Sequence, residues 1–220
     1  MMYLFTKRFC DIVLSLMALI VLSPILIPVC ILLLLTGEHS VFYFQERIGR
    51  GGKPFHVWKF ATMLKNSINM GTGAITTRND PRVLPVGRFL RKTKLNELPQ
   101  LINILIGDMS IIGPRPLLRQ GYDAYAEDIR SCIDHLRPGL SGIGSVVFRD
   151  EELHVSKADD PMKFYYEKIH PVKGALEKWY FINRSLYVDF MIIFLTCWVI
   201  LFPHSNLVYR IFSDLPRFKP

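Results

Sequence analysis

The sequence has little of what marks a secreted, metal-bound or repetitive protein. Its four cysteines, Cys10, Cys30, Cys132 and Cys197, form no CxxC pair, and three sit in or beside apolar runs. They are poor material for a zinc site or a disulfide framework and suit a reducing compartment. No heptad, internal repeat or low-complexity tract is present, so every segment has to be read separately. Acids are outnumbered: 19 Asp and Glu stand against 27 Lys and Arg, a net charge of +8. An anionic partner follows, and a lipid headgroup, a phosphorylated substrate or a nucleic acid would each satisfy total charge alone.

What is there is apolar. Half of the 220 residues are hydrophobic while 21% are charged, a balance that suits one compact body attached to a bilayer better than a polytopic transporter. Residues Ile12 to Leu35 run for 24 positions without a charge, preceded by Lys7 and Arg8. That exceeds the roughly 20 residues of a spanning helix. It is too long for the apolar part of a signal peptide, and no small-x-small cleavage site follows it. Ser23-Pro24 bisects the run and Pro28 follows one turn later. Proline removes a donor and kinks or breaks a helix, which leaves two arms of about 12 residues, each roughly 18 Å long. The expectation is a re-entrant hairpin that keeps the basic body on the side of Lys7 and Arg8; the alternative is a kinked span. Phe190 to Phe202 is too short to span and reads as a core or interfacial helix.

Between these ends, Val41 to Gln45 and Phe55 to Phe60 are aromatic and β-branched runs separated by a segment containing Gly51-Gly52, the pattern of a short hairpin or an extended pair. Residues 66 to 85, with Gly71, Gly73, Asn79-Asp80-Pro81 and Pro85, read as loop. Leu95, Leu98, Leu101, Ile102, Leu105 and Ile106 recur at helical spacing and Gly107 closes the pattern. Arg78, Arg82, Arg88, Arg91, Lys92 and Lys94, against the single acid Asp80, feed into the start of that helix. A basic approach to a helix N-terminus suits an anion; a charged face on anionic lipid would look the same. Asn96 suits an N-cap and Glu97 the first turn, without any chemistry. Gly113-Pro114-Arg115-Pro116 mounts one guanidinium rigidly between two prolines, as a phosphate fork requires.

Taken together, several stretches resemble the bacterial sugar transferases, monotopic polyprenyl-phosphate phosphoglycosyltransferases of the small form. They are Lys7-Arg8 with Asp11, Ser23-Pro24, Phe44 to Gly49, Lys59 to Met63, Asp80-Pro81-Arg82, Leu90 to Leu101 running into Gly107 to Pro116, and Arg137 to Gly142. The resemblance implies an α/β-type, mostly helical fold with a re-entrant membrane helix over 1–36 and an interfacial catalytic domain over 37–220. It implies a phosphosugar passed from a UDP-sugar to undecaprenyl phosphate, with UMP released, at the cytoplasmic face of the bacterial inner membrane. Mg2+, UDP-sugar, polyprenyl phosphate and membrane lipid are the implied cofactor and partners. Nucleic acid is not expected, since the basic stretch lacks interleaved aromatics apart from Phe89. Whether two copies pair as a homodimer stays open.

By position, Arg91 and Arg115 match phosphate-contacting arginines, and Asn96-Glu97 matches a catalytic Asp-Glu pair whose aspartate attacks the β-phosphate. This chain departs at that nucleophile, where an amide replaces a carboxylate, and at Ala61, where the resemblance implies arginine. Glu97 is then the leading candidate nucleophile, with Asp150, Glu151 and Glu152 behind it, and Asn96 either caps the helix or offers its carbonyl oxygen to magnesium. A catalytically silent membrane scaffold is the alternative.

Overall fold

The computed structural model describes residues 2–70, 80–156, 159–203 and 205–218. Helices dominate. The N-terminal apolar run belongs to one helix, α1 (Met2–Leu35), with Pro24 and Pro28 inside it. At 1.5 Å per residue it is about 51 Å long, enough by length and composition to cross a membrane, and its apolar stretch is almost wholly uncovered. The prolines do not divide it into two separate helices. Ser23 Oγ donates to Ile20 O at 2.7 Å, a back-bond that competes with the helical ladder beside Pro24.

The expected hairpin is present as β1 (Phe42–Ile48) and β2 (Pro54–Phe60), which form a two-stranded sheet. The chain continues through α2 (Pro85–Lys92), α3 (Gln100–Ile106), β3 (Ser110–Ile112), α4 (Arg119–Asp123), α5 (Glu127–Asp134), β4 (Gly139–Ser141), α6 (Ile143–Val147), α7 (Glu151–Ser156) and α8 (Pro161–Phe164). It ends in α9 (His170–Asn183), α10 (Leu186–Leu201) and α11 (Leu207–Ile211). Strands β3 and β4 pair in parallel, Ser110 with Gly139 and Ile112 with Ser141. Of the residues expected in the loop, Gly71, Gly73, Arg78 and Asn79 lie outside the described residues.

Two compact units are distinguishable. One comprises residues 1–11, 47–55 and 107–220, the other residues 12–46 and 56–106. The core of the larger unit is built on α6, α9 and α10, with Ile143, Leu176, Ile192 and Leu195 fully buried around Ile112. Helix α10 starts four residues earlier than the apolar run implies. Ser185 caps it, its Oγ accepting from Val188 N–H at 3.2 Å. Its inner face, Val188, Ile192, Leu195 and Val199, is core, while Phe190, Phe194 and Ile200 remain exposed. In the smaller unit, Leu33 near the end of α1 packs with Phe60 and Leu90.

The first turns of α1 are tied into the larger unit by polar bonds. Buried Asp11 accepts from Ser110 Oγ at 2.8 Å and Ile111 N–H at 3.0 Å. Asp189 accepts from Tyr3 Oη and Lys7 Nζ, each at 3.0 Å, and from Tyr180 Oη at 2.6 Å.

Candidate active site

In the smaller unit, Arg91 is held by the strand exit that the sequence places at Lys59 to Met63. Helix α2 approaches that segment so closely that a Cβ on Gly87 would lie 2.2 Å from Thr62 O. Only glycine permits this contact. Leu84 N–H donates to Thr62 O at 3.0 Å, and Met63 bridges to Val83. Arg91, in the last turn of α2, then donates from Nε to Thr62 Oγ1 at 3.0 Å and from Nη2 to Met63 Sδ at 3.1 Å. One edge of the guanidinium is fixed by protein.

The chain leaves α2 through Lys94, whose φ of 60° puts a side-chain-bearing residue in the left-handed region. Such a residue costs on the order of 1–3 kcal/mol and marks sites where the backbone is held for a purpose. A 3-10 turn follows over Leu95–Glu97. Asn96 is buried and its Oδ1 has no hydrogen-bond partner; an orphaned carbonyl of that kind costs about 1–3 kcal/mol. Glu97, next in the turn, is half-buried. The expectation that Asn96 caps a helix is therefore corrected. The helix over the apolar pattern, α3, starts only at Gln100, and the 3-10 turn carries no side-chain cap. Gly107, at φ +102°, does end that pattern.

The basic approach is also reduced. Arg82 is buried in a two-point pair with Asp80, Nε to Oδ1 at 2.9 Å and Nη2 to Oδ2 at 2.6 Å. Its Nη1 closes the loop on Ser67 O and Met70 O. This pair holds structure together, whereas Arg88, Lys92 and Lys94 are exposed.

Arg115 belongs to the larger unit. Gly113 and Gly139 let β3 and β4 meet where a Cβ on Gly113 would lie 2.3 Å from Arg137 O. Gly139 N–H donates to Pro114 O at 2.8 Å, Arg47 Nη1 to Pro116 O at 3.2 Å, and Ile48 N–H to Leu117 O at 2.8 Å. The turn is fastened on both sides and its arginine is exposed, as its two prolines imply.

Behind that turn lie Glu177 and Lys173, which sequence reasoning missed. Glu177 on α9 is buried, and its carboxylate accepts from Arg115 N–H while Oε2 has no partner. Burial pushes its carboxyl up to about 8; the Arg115 hydrogen bond and the nearby Lys173 only partly oppose that rise. Lys173, one turn earlier, bonds Glu151 Oε2 at 2.5 Å and lies 5.6 Å from the Phe148 ring centre. Burial drives its ammonium down, against the pull of Glu151. Glu151 is thus already committed to a lysine. Asp150 is exposed, and the side chain of Glu152 lies outside the described residues. No spacing in the sequence singles Glu177 out, because Lys173 stands four residues before it on the same helix face and Lys178 follows it directly.

Among the described residues, no group of three or more His, Cys, Asp or Glu side chains could hold a metal ion. Arg91, Asn96 and Glu97 fall in one unit, and Arg115, Glu151 and Glu177 in the other.

The undecaprenyl-phosphate galactose phosphotransferase of Salmonella typhimurium is 34% identical over 211 residues, covering 90% of this chain and 40% of that protein. The UDP-glucose:undecaprenyl-phosphate glucose-1-phosphate transferase of Escherichia coli is 37% identical over 86% of this chain and 39% of its own length. The chain therefore spans well under half of these two relatives. The exopolysaccharide production protein ExoY of Sinorhizobium fredii is 35% identical, with 87% of this chain and 83% of the relative covered. Residues 2–203, nearly the whole chain from α1 through the candidate site to the end of α10, match the bacterial sugar transferase family, and the chain belongs to that family.

Proposed function

We propose that this chain transfers a phosphosugar from a UDP-sugar to undecaprenyl phosphate, giving the polyprenyl-diphospho-sugar and UMP, on the cytoplasmic face of the bacterial inner membrane. The observation that carries the reading is the segment from Arg91 to Glu97. A guanidinium braced by Thr62 and Met63 precedes, within one strained turn, a buried carbonyl without a partner and a carboxylate. Such a segment is ready to receive a diphosphate: the arginine neutralises phosphoryl oxygens, and the preset backbone avoids reorganisation during transfer.

In this reading a Glu97 carboxylate oxygen attacks the β-phosphorus of the UDP-sugar. The bond from that phosphorus to the bridging oxygen breaks, and UMP leaves with the electron pair. A phosphate oxygen of the polyprenyl phosphate then attacks the glutamyl-bound phosphorus and returns the carboxylate. Splitting one transfer in two lowers each barrier. Arg115, exposed on its fastened turn, keeps the phosphate-contacting role that its match to the family's arginine implies. Asn96 Oδ1, an oxygen donor with no partner, is the chain's own contribution to a Mg2+ ion, a hard cation commonly bound through few protein oxygens together with substrate phosphates. Bound there, the ion would supply positive charge against the phosphates.

Helix α1 is read as a re-entrant anchor. Its first turns are bonded through Tyr3, Lys7 and Asp11 and its last are packed through Leu33, while the middle stays uncovered. Ser23-Pro24 and Pro28 supply the bend. The experiment is a panel of UDP-glucose, UDP-galactose and UDP-N-acetylgalactosamine with undecaprenyl phosphate and Mg2+, scored by UMP release and by the lipid product. One sugar should give both, and Glu97→Gln should give neither while remaining folded. UMP release that survives Glu97→Gln would move the nucleophile, and no release from any sugar would leave a binding protein.

A further inference from the structure

The start of α1, the turn after β1 and the segment between α5 and β4 carry charges that the reaction above does not use. All of them lie in the larger unit. They enclose a small cavity of about 30 Å3 lined by Lys7, Asp11, Arg50, His135, Arg137 and Arg184, among others. Four cations face it. Against them stand Asp11, already bonded to Ser110 and Ile111, and Asp189, which takes Lys7. An excess of two positive charges is left. Arg8 adds to the crowding: a Cβ on Gly107 would lie 3.3 Å from its Nη2, and Arg137 Nε donates to Gly107 O at 2.8 Å. Burial lowers the affinity of half-buried Arg137 for its proton, and Arg8 and Arg50 lower it further. Guanidinium groups gathered in this way repel one another until an anion joins them.

An apolar cavity adjoins it. Tyr3 and Arg184 also line a second, open cavity of about 720 Å3, with Met2, Phe181, Ile182 and Leu186 on its wall. The Arg184 guanidinium carbon lies over the Phe181 ring, 4.1 Å from its centre, and the residue lines both cavities. The wall residues Met2 and Ile182 are among the most exposed apolar side chains of the chain. Both cavities are built on the turns of α1 that precede the uncharged run, the level at which a bilayer changes from headgroup to acyl chain.

We propose that these joined cavities hold the polyprenyl phosphate acceptor, its phosphate against Arg50, Arg137 and Arg184 and its first isoprene units along Phe181, Ile182 and Leu186. The inference rests on the activity proposed above and adds where the acceptor binds. Charge decides between lipids: a phosphate monoester approaches a charge of −2 near neutral pH, matching the excess, whereas a phospholipid diester carries one negative charge and two chains.

The test uses the full chain in detergent micelles. Arg50 is exposed, so Arg50→Glu leaves the fold's bonds intact, and Arg137→Lys keeps the charge while losing the fork. Native mass spectrometry with undecaprenyl phosphate should show binding weakened about tenfold or more in both variants. In turnover assays, KM for undecaprenyl phosphate should rise by a similar factor relative to KM for UDP-sugar. Equal rises in both KM values, or unchanged lipid binding, overturn the proposal. Unchanged acceptor binding combined with reduced flotation on phosphatidylglycerol vesicles also overturns it, assigning the cavity to bulk phospholipid. If the wild type binds the lipid at these residues yet releases no UMP, the activity fails and the lipid site stands.

Discussion

Replacing Glu177 by glutamine gives a prediction whose sign and size both come from the structure. The carboxyl lies beneath the Arg115 turn, and its nearest cation, Lys173, is taken by Glu151. Folding therefore raises its pKa from an ordinary 4.5 to about 8. Between those values the folded chain keeps a proton that the unfolded chain has released, so stability falls as pH rises. The penalty is absent below the unfolded value, grows by about 1.4 kcal/mol per pH unit, and is complete above the folded value at roughly 4 to 5 kcal/mol. Glutamine has nearly the same shape, can still accept from Arg115 N–H and has no charge to bury. Thermal unfolding in detergent, followed by tryptophan fluorescence, should give nearly equal midpoints for wild type and Glu177→Gln at pH 5. By pH 8 the variant should be higher by about 10 °C, since 1 kcal/mol moves a domain of this size by roughly 2–4 °C. A midpoint difference that is constant from pH 5 to 8 would refute the reasoning. A variant less stable at pH 8 would show that Glu177 is ionised and paired with Lys173. Turnover supplies the second readout: Glu177→Gln should keep it at pH 7, and Glu177→Ala, which releases the Arg115 turn, should not.

Three further outcomes are expected. Arg91→Lys should lower turnover by about tenfold or more, because one ammonium cannot bond Thr62 Oγ1, Met63 Sδ and a phosphate as the planar fork does; UMP release at the wild-type rate would remove Arg91 from the site. Asn96→Asp should be tolerated if Glu97 is the nucleophile, whereas a silent wild type that gains UMP release through Asn96→Asp would return the role to position 96; a phosphosugar adduct mapped by intact mass and peptide mass would decide the carboxylate. Single cysteines at Lys7 and at exposed Arg88, in a cysteine-free background, should both react with an impermeant thiol reagent from the cytoplasmic side only, and labelling from opposite sides would establish a span.

By itself the sequence determined the elements whose cause is local. An uncharged run of 24 residues makes α1, aromatic runs around Gly51-Gly52 make the β1–β2 hairpin, and two prolines with glycines around them make the Arg115 mount. The ordered motifs pointed to the family, which the match over residues 2–203 shows. Tertiary structure decided what depends on neighbours distant in sequence. Asn96 reads as a helix cap until burial leaves its carbonyl without a donor, and Arg82 reads as a free cation until Asp80 and two backbone carbonyls enclose it. Glu177 and the cationic cavity at Arg137 could not be seen in the sequence. Their properties arise from desolvation and from like charges brought together by folding, and neither has a spacing along the chain.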